Sequence, residues 1–243
     1  MEHSGFELTL DQISQIATET VGQNSNQLWH KIRKNRLTAS QFGKAIRAYE
    51  YGRETAVNDV ISVIKGEKTI PPVLPIQWGR DHEIVAIQHY MEMTGYCVKP
   101  TGLWIFPNGY LAASPDGLVF DTEEIQTASG IIEVKCPYSV RFMTFQEMTS
   151  QHKLPLYLNA NGYLKPSSDY FHQVQGELYA TGAPWCDFVV CTTKDVKIQR
   201  IFPSLEWYNT KLPKLISFYI DNILSMHLQL LTLKGILIIY FEF

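Results

Sequence analysis

Three ionisable residues on two short apolar segments have the types and the spacing that a metal-assisted reaction of water requires. Asp116 stands in Ser-Pro-Asp-Gly, and Glu133 and Lys135 stand in Gly-Ile-Ile-Glu-Val-Lys. Carboxylates are ligands that hard divalent cations prefer, and a bound metal ion can turn water into a nucleophile. The trio therefore predicts a site that holds a divalent metal and activates a water beside it.

The segment from Gly130 to Lys135 predicts a buried strand, because it is apolar and rich in β-branched residues apart from two positions. Side chains alternate across a strand, so Glu133 and Lys135 project from the same face. The hydrophobic neighbours of each charge favour a central strand, where an unpaired charge costs several kcal/mol. A bound metal and a counter-charge offset that cost.

A second strand is predicted at residues 110–114, and it ends at Pro115, which has no backbone N–H for a sheet ladder. Asp116 follows directly, and Gly117 permits a tight backbone before the chain becomes extended again. If the segments on either side of loop 121–129 pair, Asp116 lies beside the glutamate of the first segment.

Composition limits the classes of protein that the chain can represent. Of its 243 residues, 45% are hydrophobic and 19% are charged, so it can bury a core as one large domain or one domain with extensions. The net charge of -3 argues against a protein that coats DNA by bulk charge. The four cysteines include no Cys-x-x-Cys pair and follow no signal peptide, which indicates a reducing, intracellular location rather than secretion.

The most basic stretch of the chain lies between Trp29 and Ser40. Five of the seven residues 30–36 are Lys, Arg or His. Thr38 and Gln41 have capping-box spacing, which predicts that a helix begins here. A helix N-terminus that follows arginine and opens with Ser or Thr is an anion site, for which phosphate is the natural ligand. The alternative is that Thr38 and Ser40 only cap the helix, while the basic residues form a solvated face.

Two sets of motifs in the chain resemble those of known nucleases. Pro-Asp, a spacer and Glu-Val-Lys resemble the motif of the PD-(D/E)xK nuclease superfamily. Trp-His-Lys-Ile-Arg followed by Thr-Ala-Ser resembles the N-terminal motif of lambda-type exonucleases, also called YqaJ-like viral recombinase nucleases. The resemblance covers about residues 28–202. It implies an α/β (α+β) fold with a restriction-endonuclease-like core, in which helices flank a central mixed β-sheet.

The resemblance also assigns roles to residues outside the first trio. Glu83, in Trp-Gly-Arg-x-x-Glu, matches an acidic residue that family members direct at the metal site. Gln173 matches a glutamine that approaches the active site, and Gln175 is the alternative. Family members hold the 5′ phosphate of a DNA end with an arginine and two serines. The residues predicted to contact the DNA end, including those that match, are Trp29, Arg33, Thr38, Ser40 and Ser114.

The predicted reaction is metal-dependent hydrolysis of a phosphodiester. Asp116 and Glu133 are expected to ligate Mg²⁺, for which Mn²⁺ can substitute, with the Val134 carbonyl as a third oxygen ligand. Glu83 is expected to support this ion or a second one. Lys135 is expected to orient the attacking water and lower its pKa.

The resemblance implies a 5′-to-3′ exodeoxyribonuclease that processes double-stranded DNA ends for recombination or repair and leaves 5′-phosphate products. It also implies a ring-shaped homotrimer and, as a protein partner, a single-strand annealing or recombination protein. Two alternatives stay open. One is a structure-specific endonuclease of the same superfamily, of the resolvase or repair type. The other is a non-catalytic module that binds DNA ends.

The chain divides into three predicted regions. Residues 1–27 form a helical extension, residues 28–224 form the nuclease domain, and residues 225–243 form an apolar tail too interrupted by polar residues to span a membrane. The tail is expected to be an aggregation-prone strand, an interface segment or a non-native end. Helices are predicted at residues 8–21, 54–65, 78–93, 140–148, 169–181 and 205–224, and strands at 96–98, 103–106, 185–191 and 197–202.

Overall fold

A computed structural model of the chain describes residues 7–67 and 73–225. Helices and strands are mixed along these residues, and a π-helical turn, Ile220–Leu224, follows the last helix. The helices are α1 (Leu10–Glu19), α2 (Gln27–Arg33), α3 (Ala39–Tyr51), α4 (Glu54–Lys65), α5 (Leu74–Thr94), α6 (Phe145–Ser150), α7 (Asp169–Thr181), α8 (Leu205–Thr210) and α9 (Leu212–Tyr219). The strands are β1 (Leu37–Thr38), β2 (Cys97–Lys99), β3 (Trp104–Ile105), β4 (Leu111–Ala113), β5 (Gly117–Phe120), β6 (Gly130–Lys135), β7 (Cys186–Cys191) and β8 (Val196–Ile201).

Two sheets form the centre of the described fold. The larger has the strand order β2-β5-β6-β7-β8, and the smaller has the order β1-β4-β3. In the larger sheet β6 is central, because it runs antiparallel to β5, with Gly117 opposite Ile132, and parallel to β7. The predicted mixed sheet is confirmed, and so is the predicted pairing across loop 121–129.

Strand β6 is buried on both faces, as its apolar sequence predicts. Ile131 packs with Val174 and Leu178 of α7 on one face. Ile132 and Val134 pack with apolar residues of α5 on the other. Burial on both faces is typical of a central strand with a parallel neighbour. The two helices therefore enclose the strand that carries the predicted catalytic residues.

Helices α3 and α7 cross at close range because glycines stand at their contact. A Cβ atom at Gly176 would lie 2.5 Å from the Phe42 ring, and one at Gly43 would lie 2.7 Å from the Cα atom of Asp169. Packing at interior density leaves no room for a larger side chain at either position. This contact fixes α7 relative to the N-terminus of α3, the two elements that flank the site described below.

The N-terminal helix packs against the smaller sheet and its connections. The Leu8 N–H donates to the Pro107 carbonyl over 3.0 Å, and the Leu103 N–H donates to Thr20 Oγ1 over 2.7 Å. The predicted helix of this extension is present as α1, and the boundary at residue 27 stays a prediction. Among the described residues, no helix combines the length and the apolar composition needed to cross a membrane.

Helix α5 begins earlier than predicted. It starts at Leu74 rather than at Trp78, with Pro75 in its first turn. Proline is accommodated there because the first N–H groups of a helix have no partner within the helix. Residues 68–72 and residues 226–243, which hold almost all of the predicted apolar tail, lie outside the described part of the chain.

Two further segments differ from their predicted form. Residues 140–148 hold the end of a 3₁₀ turn and the first part of α6, which Thr144 caps. The long helix predicted at residues 205–224 is interrupted at Lys211, and Pro213 stands in the first turn of α9. The proline ring would clash with the preceding turn of a continuous helix, so the chain starts a new one.

Candidate active site

Asp116 is held against the strand that carries Glu133. The Asp116 N–H donates to the Ile132 carbonyl over 3.0 Å, and its Oδ2 accepts a hydrogen bond from the Val134 N–H over 2.7 Å. These contacts lie on either side of Glu133, so the two carboxyl groups are neighbours. Burial raises the pKa of Asp116 well above its ordinary value, and the charges of Glu133 and Glu83 raise it further.

Glu133 and Lys135 form an ion pair, as the alternation along the strand predicts. Lys135 Nζ donates to Glu133 Oε1. The Glu133 side chain is 2% exposed, and its Oε2 has no hydrogen-bond partner among the described residues. Burial lowers the pKa of Lys135, but the charges of Glu133 and Asp116 outweigh this effect, so the pKa is raised overall. These two carboxylates therefore favour the protonated form of Lys135.

Gln173 completes the contacts of Glu133 from α7. Its Nε2 donates to Glu133 Oε1 over 2.6 Å and to Glu177 Oε1 over 2.9 Å. The alternative glutamine, Gln175, points elsewhere: its amide bonds the Phe202 carbonyl and the Ser204 N–H. Of the two predicted glutamines, Gln173 is thus the one that reaches the site.

Glu83 joins the same cluster from helix α5. Burial raises the pKa of Glu83, and the charge of Glu133 raises it further, whereas Lys135 lowers it. Glu83 is therefore near enough to interact with Glu133 and Lys135 through its charge, and the charge of Arg80 also lowers its pKa. The negative charge of this cluster is compensated only in part.

The donor set fits a hard divalent cation. The unpartnered oxygen of Glu133 and the neighbouring carboxyl group of Asp116 are the oxygen ligands that such ions prefer. Within residues 7–67 and 73–225, no three side chains of His, Cys, Asp or Glu form a set that could hold a metal ion. Further ligands must then be backbone, water or substrate oxygens, and the Val134 carbonyl is the predicted one.

The five residues predicted to contact a DNA end form one connected group. Arg33 donates to Thr38 Oγ1 over 3.2 Å and lies 3.4 Å from Ser40 Oγ. The Arg33 guanidinium stacks 4.6 Å from the centre of the Trp29 ring, and Trp29 Nε1 donates to Ser114 Oγ over 3.0 Å. Ser114 lies two residues before Asp116, so this group adjoins the carboxyl cluster along the chain.

The capping box predicted at Thr38 and Gln41 is not formed. A helix does begin here, and Thr38 occupies the N-cap position of α3, but its side chain makes no capping bond. The Thr38 hydroxyl instead accepts a hydrogen bond from Arg33, which competes for the same oxygen. The first N–H groups of α3 therefore stay available to an anion.

Two residues that contact the site are not among those predicted from the sequence. Tyr170 lies beneath the lysine, with its ring centre 4.6 Å from Lys135 Nζ. Glu177 is completely buried and bonds Gln173. The spacing of four residues between Gln173 and Glu177 places them on one helix face and could have identified the second. No sequence signal marks Tyr170.

The fold is shared with several solved nucleases. An alkaline exonuclease from Laribacter hongkongensis is 25% identical with a TM-score of 0.63, over 85% of this chain and 96% of that one. A phage-related exonuclease from Haemophilus somnus 129PT is 17% identical with a TM-score of 0.53, over 80% and 96%. The Shutoff and Exonuclease Protein from Kaposi's sarcoma-associated herpesvirus is 11% identical with a TM-score of 0.59, over 87% and 72%. A comparison with curated protein sequences gives no match.

The fold and the carboxylate-lysine site define a class of protein, the nuclease hydrolases that act on DNA. The family model of the YqaJ-like viral recombinase domain matches residues 28–184, and this chain belongs to that family. The predicted family membership is confirmed, as is the restriction-endonuclease-like core. The family and the exonuclease fold support a DNA exonuclease that takes part in recombination, and they imply a divalent metal cation as its cofactor.

Proposed function

We propose that the protein is a Mg²⁺-dependent exodeoxyribonuclease that degrades double-stranded DNA from 5′ to 3′ and leaves 5′-phosphate products, with Mn²⁺ able to replace Mg²⁺. One observation carries this proposal. The buried Glu133 carboxyl group is bonded at one oxygen by Lys135 and Gln173, and its other oxygen has no described partner. A buried acceptor without a donor is costly unless a ligand binds it.

The carboxyl cluster would hold the cation. Asp116, Glu133 and the Val134 carbonyl are the proposed ligands, and Glu83 adds negative charge from the opposite helix. A bound divalent cation supplies charge neutralisation for the scissile phosphate and makes a water more acidic. Phosphodiester hydrolysis requires this electrostatic stabilisation more than a covalent nucleophile.

Lys135 provides the remaining positive charge of the site. Glu133 and Asp116 raise its pKa despite burial and so favour the ammonium form, which donates a hydrogen bond to Glu133. We assign to it the orientation of the attacking water and the stabilisation of charge that develops on the phosphate. The Tyr170 ring limits where the ammonium group can move.

The connected group around Arg33 would bind the 5′ phosphate of the DNA end. Arg33 offers a charged, planar donor that is already held in place by Trp29 and Thr38. Ser40 and Ser114 add hydroxyl donors beside it. A phosphate held there fixes one strand end and positions the adjacent phosphodiester for hydrolysis.

The wider assembly belongs to the same proposal. We assign the activity to residues 28–224, in an intracellular protein that forms a ring-shaped homotrimer on double-stranded DNA ends. A single strand with a 3′ end is the product, so a single-strand annealing or recombination protein is the partner that would use it.

A time course on linear duplex DNA tests the proposal. One strand is labelled at the 5′ or the 3′ end, with or without a 5′ phosphate, in the presence of Mg²⁺. We expect early release of the 5′ label as a mononucleotide and faster degradation of phosphorylated ends. Lys135→Ala should abolish degradation, whereas Lys153→Ala, a change at an exposed loop lysine, should not.

Two results would indicate a function other than that of an exonuclease. Cleavage of closed circular or branched DNA in preference to linear ends would identify a structure-specific endonuclease. Tight binding of DNA ends without Mg²⁺ and without cleavage would identify a non-catalytic end-binding module.

A further inference from the structure

Glu177 stands one helical turn after Gln173 and is completely buried, yet no lysine or arginine of residues 7–67 and 73–225 is bonded to it. Its Oε1 accepts a hydrogen bond from Gln173 Nε2 over 2.9 Å, and its Oε2 has no partner among the described residues. A buried carboxyl group that is only half satisfied lowers stability compared with an apolar side chain of similar size. Packing alone therefore gives no reason for a glutamate here.

The hydrogen bonds of Gln173 give such a reason. A side-chain amide nitrogen has two hydrogens. In Gln173 one is directed to Glu133 Oε1 over 2.6 Å and the other to Glu177 Oε1 over 2.9 Å. An amide flip would present the carbonyl oxygen to two carboxyl groups and lose both bonds. Glu177 thus fixes the orientation in which Gln173 donates to Glu133.

Gln173 and Lys135 together determine which oxygen of Glu133 remains open. Gln173 and Lys135 both bond Oε1 of Glu133, and Oε2 is left without a described partner. Without Glu177, the Gln173 amide could rotate away, and Glu133 would be held by Lys135 alone. The ligand oxygen would then no longer be presented in one place.

We propose that Glu177 is a positioning residue that acts through Gln173 to present one oxygen of Glu133 to the metal ion. The inference rests on the proposed metal-dependent function. Outer residues that orient metal ligands typically change metal affinity about 10- to 100-fold when they are removed. Glu177 itself does not ligate the ion, because its contact with the site is made through Gln173.

The test measures Mn²⁺ binding to the full-length, DNA-free protein by isothermal titration calorimetry, which needs no catalysis. E177L removes the acceptor at similar size, and we expect about 10- to 100-fold weaker binding. E177Q keeps a carbonyl oxygen that can accept from Gln173, so its affinity should stay close to that of the wild type. Q175L is the control on the same helix, because Gln175 bonds the 202–204 segment instead.

A double-mutant cycle tests whether Glu177 acts through Gln173. If it does, Q173L and Q173L/E177L bind Mn²⁺ equally weakly. Additive losses, an E177L affinity equal to that of the wild type, or an E177Q loss as large as that of E177L would each overturn the inference. The last result would identify the carboxylate as a ligand itself. If E177L does not fold by circular dichroism, E177A removes the same acceptor, and E177A, Q173L and Q173L/E177A are compared in the same way.

Different results would contradict the metal-dependent function and the positioning role of Glu177. Wild-type protein that binds no Mn²⁺ would remove the metal-dependent function, and with it this inference. Wild-type protein that binds Mn²⁺ while E177L binds it equally well would remove the role of Glu177 and leave the proposed nuclease intact.

Discussion

The Val134 N–H donates to Oδ2 of Asp116 over 2.7 Å, so the strand that supplies Glu133 and Lys135 also orients the first carboxylate. The donor is a backbone group of β6 and the acceptor is the Asp116 side chain, so only a substitution at Asp116 itself removes the bond directly. The position of Asp116 therefore depends on the pairing of β5 with β6 and on an acceptor oxygen in its own side chain. A substitution at Asp116 that keeps this acceptor oxygen should therefore alter metal binding and catalysis while the fold of the site stays intact.

Asp116→Asn should remove activity without unfolding the protein. The asparagine carbonyl can still accept from Val134, but it is a neutral and weaker ligand for a divalent cation. Loss of several kcal/mol of charge stabilisation corresponds to a fall in rate of about a thousandfold. Release of mononucleotides from linear duplex DNA at saturating Mg²⁺ measures this. A fall of less than about tenfold, roughly 1.4 kcal/mol, would mean that Asp116 does not hold the ion.

The same substitution should stabilise the metal-free protein, and more so at higher pH. The pKa of Asp116 is raised by burial and by Glu133, so the folded state holds a proton that the unfolded chain has lost. Wild-type stability therefore falls as pH rises from the ordinary carboxyl value of about 4 through the raised value. Asparagine does not titrate, so the stability difference between variant and wild type grows with pH, to about 1 to 3 kcal/mol.

Urea denaturation in EDTA at pH 5 and pH 8 measures that difference. His172 titrates in the opposite sense, because burial lowers its pKa to about 4 and its contribution is lost as pH falls. His172 is present in both proteins, so its effect cancels from the comparison. A stability difference that is equal at both pH values would contradict the raised pKa of Asp116 in the folded protein.

The sequence predicts those parts of the site that depend on strand alternation and on helix-capping residues. Alternation along one strand places Glu133 and Lys135 on one face, and the helix predicted at residues 169–181 has those bounds because Ser168 caps it and Gly182 ends it. The contacts of Tyr170 cannot be predicted in this way, since they depend on how α7 packs over β6. Capping-box spacing also fails at the start of α3, because Arg33, five residues earlier at the end of α2, bonds the Thr38 hydroxyl that this spacing assigns to the helix.

Magnesium should stabilise the protein against heat, and Glu133→Gln should remove most of this effect. A ligand that binds only the folded state adds about 2.7 kcal/mol at a concentration of one hundred times its Kd. The substitution removes the buried negative charge that attracts the ion. Differential scanning fluorimetry with increasing Mg²⁺ measures the change in Tm. Glu92→Gln, at an exposed position of α5, is the control and should respond to Mg²⁺ like the wild type.

Arg33→Gln should remove the preference for phosphorylated 5′ ends. Loss of a charged hydrogen bond costs about 1.5 to 3 kcal/mol, which corresponds to roughly 10- to 150-fold in kcat/KM on 5′-phosphorylated duplex. Degradation of ends that carry a 5′ hydroxyl should change little, because these ends make no such bond. Lys31→Gln lies on the same helix at an exposed position and should keep the preference. If Arg33→Gln slows both kinds of end equally, Arg33 stabilises the fold through Trp29 or binds DNA elsewhere, and the 5′ phosphate is recognised by other residues.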